Sequence, residues 1–188
     1  METLETLFQS FETGIRSGRT TKPKEYVKSI GLSYTEMRIG FNSGQFHHRQ
    51  SQEVRDQFEA LGVIKKSKKA VANKEDLTAY TVFGQYGIVF PLMNKENEIV
   101  NFFAVRFDMA SPKEEYLNKN GLFPKYPHKN TKRLFIIPTL MDCASFIQSK
   151  ALDQREAVIA LHNGKFLPQH KEAIQELTAL EEIIIIKR

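Results

Sequence analysis

The 188-residue chain has one cysteine, Cys143, and no tryptophan. A single cysteine excludes an internal disulfide framework and any cysteine-rich zinc site built by this chain, so no structural metal is expected. Long apolar runs are missing too: the four isoleucines at 183–186 are far too short to cross a bilayer. The opening METLETLFQSFETG carries Glu2, Glu5 and Glu12 with no apolar core, which fits neither a signal nor a transit peptide. A cytoplasmic location with no membrane partner is therefore expected. No internal repeat or low-complexity segment is visible, and Gly164 in LHNGK lacks the repeated glycines of a phosphate loop.

What is present suits a folded protein: 41% hydrophobic and 11% aromatic residues supply a packed core. The net charge of +5 is front-loaded. Residues 1–133 hold 21 Lys+Arg against 15 Asp+Glu, whereas residues 134–186 hold 4 against 7. Two basic concentrations stand out. KKSKKAVANK, residues 65–74, reads equally as a solvated lysine run or a phosphate-binding one. Residues 119–133 interleave Lys119, Lys125, Lys129, Lys132 and Arg133 with Phe123, Tyr126 and His128, a pattern suited to holding phosphates and stacking bases.

Leu4, Leu7, Phe8, Phe11 and Ile15 recur at helical spacing, and Gly14, Gly18 and Thr20 to Pro23 punctuate the pattern as a linker. A second helix runs from Lys24 to Ile30 before Gly31; Ser51 caps a third that buries Val54, Phe58 and Leu61 before Gly62. Residues 86–107 give two β-rich runs about a polar NKEN turn, an antiparallel hairpin in which Pro91 marks an edge strand or a strand end. From residue 134 strands alternate with helices: strand 134–138, helix 140–150, strand 157–161, helix 168–179, strand 182–186. Alternation at these lengths predicts βαβ units and parallel strands, apolar throughout because both faces are covered. The predicted organisation is an N-terminal helix and linker (1–22), a basic α+β subdomain (23–133) and a small α/β subdomain with a parallel sheet (134–188).

Paired histidines in FNSGQFHHRQ, residues 41–50, invite a catalytic reading, but His47 and His48 are adjacent and cannot chelate one metal together from a strand. As a loop, Asn42, Ser43, Gly44, Gln45, His47 and Arg49 offer donors to a phosphate. Equally, they form a turn whose polar groups satisfy their own backbone. Cys143 lies on an apolar helix face and reads as core.

In RLFIIPTLMD, residues 133–142, a buried strand runs into a helix, and the C-terminal end of such a strand is where open α/β sheets place ligands. Its tip is Pro138. The order IVFPLMNKENEIVNFFAVRF, EYLNKNGLFPK, RLFIIPTLMD, AVIALHNGK and EEIIII resembles the catalytic core of bacterial DNA primases, in which a Toprim subdomain follows a basic one. It is most similar to the primase-like Toprim proteins of bacterial mobile elements, over residues 25–186. The resemblance aligns the hairpin with Ile88 to Arg106, a Tyr-Leu-Asn step with Tyr116, Leu117 and Asn118, and a Phe-x-Lys with Phe123 and Lys125.

The resemblance implies two-metal chemistry from a glutamate at the first strand tip and paired aspartates after a later strand. Here the glutamate position is Pro138, the following glycine is Thr139, and only Asp142 is kept; Lys187 and Arg188 follow the last strand. A basic position ahead of the hairpin is Gly87, and the lysine before Tyr-Leu-Asn is Glu115. No catalytic residue, metal or cofactor is therefore expected. The expected function is that of a degenerate, catalytically silent primase-like protein. It would bind single-stranded DNA or RNA through Arg106, Tyr116, Asn118, Lys125, Lys132 and Arg133, with a replication or mobile-element protein as a possible partner. Two alternatives stand beside it: a component or fragment of an active primase that synthesises RNA primers with magnesium, its acids supplied elsewhere, and a protein-interaction module using the fold as scaffold.

Overall fold

The computed structural model describes residues 3–67, 80–108 and 112–186. Helix α1 (Leu4–Arg16) starts where Thr3 caps it, its hydroxyl accepting the Thr6 N–H at 3.1 Å. The five apolar residues at helical spacing are all buried. Helix α2 (Thr21–Ser29) begins three residues before the expected start, so Thr21 to Pro23 are not linker. Pro23 is tolerated there because first-turn amides have no intrahelical acceptor to lose. Strand β1 (Gly40–Asn42) follows, then α3 (Gln52–Ala60), capped by Ser51 as expected. Strands β2 (Ile64–Lys66) and β3 (Tyr80–Val82) pair antiparallel. Most of the 65–74 lysine run lies outside the described residues.

The predicted hairpin is β4 (Gly87–Met93) and β5 (Ile99–Arg106); with β1 and β6 (Glu114–Tyr116) it forms an antiparallel sheet of order β1-β4-β5-β6. Pro91 neither ends its strand nor sits on an outer one: it pairs with Phe102 in the middle of β4. The expectation fails for a local reason. Strand alternation points position 91's nitrogen to the side where Met93 N–H bonds Leu122, and β1 pairs there only with residues 87–89. The missing donor falls in a gap between two partners.

The back half is as expected in topology: β7 (Arg133–Ile137), α4 (Leu140–Ser149), β8 (Glu156–Ala160), α5 (Pro168–Gln175) and β9 (Glu182–Ile185), with β7 central and both neighbours parallel. On one face Phe135, Ile137, Val158 and Ala160 pack with Leu140, Cys143 and Ala144 of α4. On the other, Leu134, Ile136 and Ile159 pack with Ala173 and Leu177. Strand β9 departs from the expectation of coverage on both faces. Ile184 joins the α4-side core, but Ile183 and Ile185 are 43% and 62% exposed, because α5 stops at Gln175, short of the predicted 179.

Residues 122–123 join the two sheets. Leu122 exchanges both backbone hydrogen bonds with Met93, each at 2.9 Å, and the Phe123 carbonyl accepts the Ala160 N–H at 2.9 Å. A continuous apolar core then runs from Ile88, Phe90 and Phe103 to Phe135 and Val158.

Helix α1 belongs to this packing, and its approach to β1 depends on Gly40. A Cβ at Gly40 would lie 2.5 Å from Phe11 Cβ and 3.1 Å from its backbone, atoms that cannot swing away. Gly40→Ala is expected to destabilise the fold by about 1–3 kcal/mol in chemical denaturation, whereas Gly18→Ala, with nothing within 4 Å, changes stability by less than about 0.5 kcal/mol. Equal stability of the two variants would contradict the packing.

Candidate nucleic-acid interface

At the tip of β7, Pro138 has no side-chain ligand to offer, and its carbonyl accepts the Gly164 N–H at 2.7 Å. Thr139 caps α4. Its hydroxyl accepts the Asp142 N–H at 3.1 Å and donates to the Asp142 carboxylate at 2.6 Å. The Asp142 carboxylate is thus engaged in a helix cap. Among the described residues no group of three His, Cys, Asp or Glu is placed to hold a metal. Lys187 and Arg188 lie outside the described residues.

Beside this tip, residues 162–165 turn back on themselves. Asn163 (φ 51°) and Gly164 (φ 77°) both take positive φ, the requirement of a type I′ turn that an Asn-Gly pair meets at little cost. The turn organises a ladder of rings. Tyr116, at the end of β6, stacks on His162 with centroids 4.3 Å apart and planes 10° from parallel. His162 meets His170 edge-on at 5.6 Å, and His170 lies 5.5 Å from Phe166, which is 53% exposed. His170 is fixed at both nitrogens: Nδ1 accepts the Leu167 N–H at 2.9 Å, so Nε2 carries the proton donated to the Ala160 carbonyl at 3.1 Å. The Tyr116 hydroxyl and His162 Nε2 are buried without a hydrogen-bond partner among the described residues. Burial raises the tyrosine's proton affinity, while burial and the neighbouring His170 push His162 down to about 4. The ladder adjoins a cavity of about 440 Å³ lined by Tyr116, Asn118, Lys119, His162, Asn163 and Lys165. Both lysines are exposed.

The structure divides the six predicted contact residues. Arg106 and Tyr116 meet in one smaller cavity of about 200 Å³, where the Arg106 guanidinium lies 3.4 Å from Asp108. Tyr116 is not an open platform, since one side of its ring is against His162 and Phe103 lies 4.7 Å away. Asn118 is largely spent on the fold: its amide donates to the Val100 carbonyl and its oxygen accepts the Asn120 N–H. Lys125 is exposed, two residues beyond the join at Phe123. Lys132 and Arg133 lie at the opposite end of β7 from the tip, about 17 Å away at the usual strand rise, and so do not gather with the rest. Lys132 is paired with Glu181, and Arg133 with Glu156 at 2.9 Å and Glu182 at 2.7 Å, its in-register neighbours on β8 and β9. Sequence reasoning missed His162, Lys165 and Phe166. Their signal was the Asn-Gly turn flanked by His and Lys-Phe directly after a predicted strand.

Gly87 and Glu115 act together on one turn. A side chain at Gly87 would put its Cβ 2.8 Å from the Gly84 carbonyl oxygen, and the Gly84 N–H donates to the Glu115 carboxylate at 2.8 Å. Together they close the turn at 83–86.

A folded-state value for His162 below its ordinary value means that the unfolded chain takes up the proton first. The stability held at pH 7 is therefore lost as pH falls from about 6.5 to about 4, with no further loss from this group below that. The His162 Cε1 proton is expected to titrate near pH 4 in NMR spectra, and an inflection near 6.5 would contradict its burial.

No protein-family profile and no curated protein matches the chain in sequence. Solved structures do match in fold. A DNA primase domain from Pseudomonas aeruginosa superposes with a TM-score of 0.73 at 13% identity, covering 97% of this chain and 59% of that one. A DnaG primase catalytic domain bound to single-stranded DNA gives 0.71 at 15% identity, covering 96% and 60%. The RNA polymerase domain of Mycobacterium tuberculosis primase DnaG, in complex with a double-stranded DNA oligomer with a 6-nucleotide overhang, gives 0.66 at 10% identity, covering 96% and 61%. The chain spans about three fifths of the length of these neighbours, and its fold is that of a bacterial primase catalytic core.

Proposed function

We propose that the chain binds single-stranded nucleic acid along the groove between Tyr116 and the 162–166 turn, and that it performs no primer synthesis on its own. The observation that carries this reading is the ring ladder ending in exposed Phe166, with Lys119 and Lys165 on the adjoining cavity. An exposed ring beside lysines stacks a base while the cations hold the flanking phosphates. Neighbours of the same fold are described with single-stranded and with double-stranded DNA, which supports the class of ligand. Relative to the sequence-based site, stacking passes from Tyr116 to Phe166, and phosphate contacts pass from Lys132 and Arg133 to Lys119 and Lys165, with Arg106 and Lys125 flanking.

Catalytic silence follows from the chemistry of a Toprim tip in which Pro138 stands for the glutamate and Asp142 is turned to Thr139. One carboxylate cannot hold a two-metal arrangement. Loss of the acids also suits a primase-like protein of a mobile element, acting as a binding partner within replication. One observation favours the alternative in which acids come from another chain or from further sequence: β9 is a sheet edge with Ile183 and Ile185 exposed, a surface on which a further strand could pair. Chelator-sensitive primer synthesis that appears only when a protein supplying the acids is added to the purified chain would decide for that alternative.

Fluorescence anisotropy with labelled single-stranded DNA and RNA across a salt series tests the proposed groove. Phe166→Ala is expected to weaken binding by about 1–3 kcal/mol with the salt slope unchanged. Lys119→Ala with Lys165→Ala is expected to flatten the slope by about 1.4, whereas the Lys132→Ala, Arg133→Ala pair leaves it unchanged. No binding by the native chain, or a slope sensitive only to the second pair, would overturn the assignment.

A further inference from the structure

A second cavity lies on the far side of the basic subdomain, between the 43–50 loop, α3 and β3. It encloses about 490 Å³, and His47, His48, Arg49, Arg55, Tyr80 and Tyr86 are among its lining residues. Its described lining contains no aspartate or glutamate. Asn42 and Ser43, which the sequence offered as phosphate donors, are spent locally. The Asn42 amide donates to the Phe83 carbonyl, its oxygen accepts the Gly44 N–H at 2.8 Å, and the Ser43 hydroxyl accepts the Gln45 N–H. The rest of the loop faces a different requirement.

Three buried side-chain atoms in this lining have no hydrogen-bond partner among the described residues: His47 Nδ1, Arg55 Nε and the Tyr80 hydroxyl. They come from three separate elements that line the same cavity. The His47 and Tyr80 rings are 5.6 Å apart, and the charge of Arg55, after burial and His48, helps to lower the proton affinity of His47, which is 7% exposed. Buried polar groups are normally satisfied, and unsatisfied ones mark a place completed by something else. Arg55 Nε–H can only donate, the tyrosine hydroxyl can donate, and a neutral histidine donates from Nδ1 in one tautomer. What would complete all three is an acceptor with several lone pairs, and two arginines with no acid in the described lining set its sign as negative. The volume is far larger than a bare ion needs and falls in the range of small-molecule sites. Two tyrosines on the wall supply ring faces; Tyr86 is 45% exposed and held at a positive φ of 54°.

We propose that this cavity binds the phosphate monoester of a nucleotide, with Arg55 and Arg49 countering its charge, His47 and Tyr80 donating to its oxygens, and Tyr86 against its base. Two sources carry that chemistry: the 5′-phosphorylated end of a nucleic-acid strand and a free nucleoside monophosphate. The site is separate from the Phe166 groove, and its failure would leave oligonucleotide binding there untouched.

Calorimetric titration of the full chain with inorganic phosphate, adenosine 5′-monophosphate, and matched single-stranded oligonucleotides bearing a 5′-phosphate or a 5′-hydroxyl tests it. Saturable binding of the monophosphate is expected, weakened at least tenfold by Arg55→Gln and severalfold by Arg49→Gln. Should Arg55→Gln fail to fold, Arg49→Gln and Tyr80→Phe carry the test, each expected to weaken binding in a chain of native circular dichroism. A 5′-phosphorylated oligonucleotide that binds at least tenfold tighter than both its 5′-hydroxyl counterpart and the monophosphate identifies a strand end as the ligand. Equal binding of the monophosphate and the phosphorylated strand identifies a free nucleotide. Absence of saturable binding by every phosphate compound, or binding indifferent to the folded variants, overturns the proposal.

Discussion

The two halves of the molecule hold together through the short crossing at Leu122–Phe123. Leu122 completes the backbone of β4 past the point where β1 has ended, and one residue later Phe123 completes the edge of β8. Both side chains are buried, one at no exposure and the other at 3%. Gly121 makes the crossing possible: its positive φ turns the chain, and a Cβ there would meet Val100 at 2.9 Å and Leu92 at 3.0 Å. Across this join Tyr116 of the antiparallel sheet stacks on His162 beyond β8, which sets the ring ladder against that sheet. The groove is therefore a property of how the sheets are joined rather than of either alone.

The strand tip is held by ordinary helix-capping interactions. Thr139 supplies the cap of α4 and Asp142 completes it, which are structural roles that any helix start rewards. At the antiparallel sheet, Glu115 closes the turn that Gly87 makes tight. A lysine at 115 would leave the Gly84 amide without that acceptor, so the change at one position constrains the other.

Much of the fold was legible because its signals are local. Apolar residues at helical spacing marked α1, Ser51 marked the start of α3, and uniform apolar runs marked the parallel strands. Where the reading failed, the deciding partner was distant. Pro91 is tolerated in mid-strand only because β1 is short and Leu122 arrives beyond it. Ile183 and Ile185 looked interior by composition, but how far α5 extends over the sheet is not written in β9 itself. The site was less legible still. Arg133 reads as a free cation until β8 and β9 bring Glu156 and Glu182 to either side of it, and Tyr116 reads as a stacking platform until His162, 46 positions later, covers it.

The central claim is that single-stranded nucleic acid lies between Tyr116 and the 162–166 turn. Amide chemical-shift mapping of the labelled chain during titration with a single-stranded oligonucleotide tests it most directly. The account predicts shifts concentrated at residues 116–119 and 162–167, with the start of β7 at Lys132 and Arg133 unmoved. Shifts confined to Lys132, Arg133 and their glutamate partners, or none at saturating oligonucleotide, would contradict it.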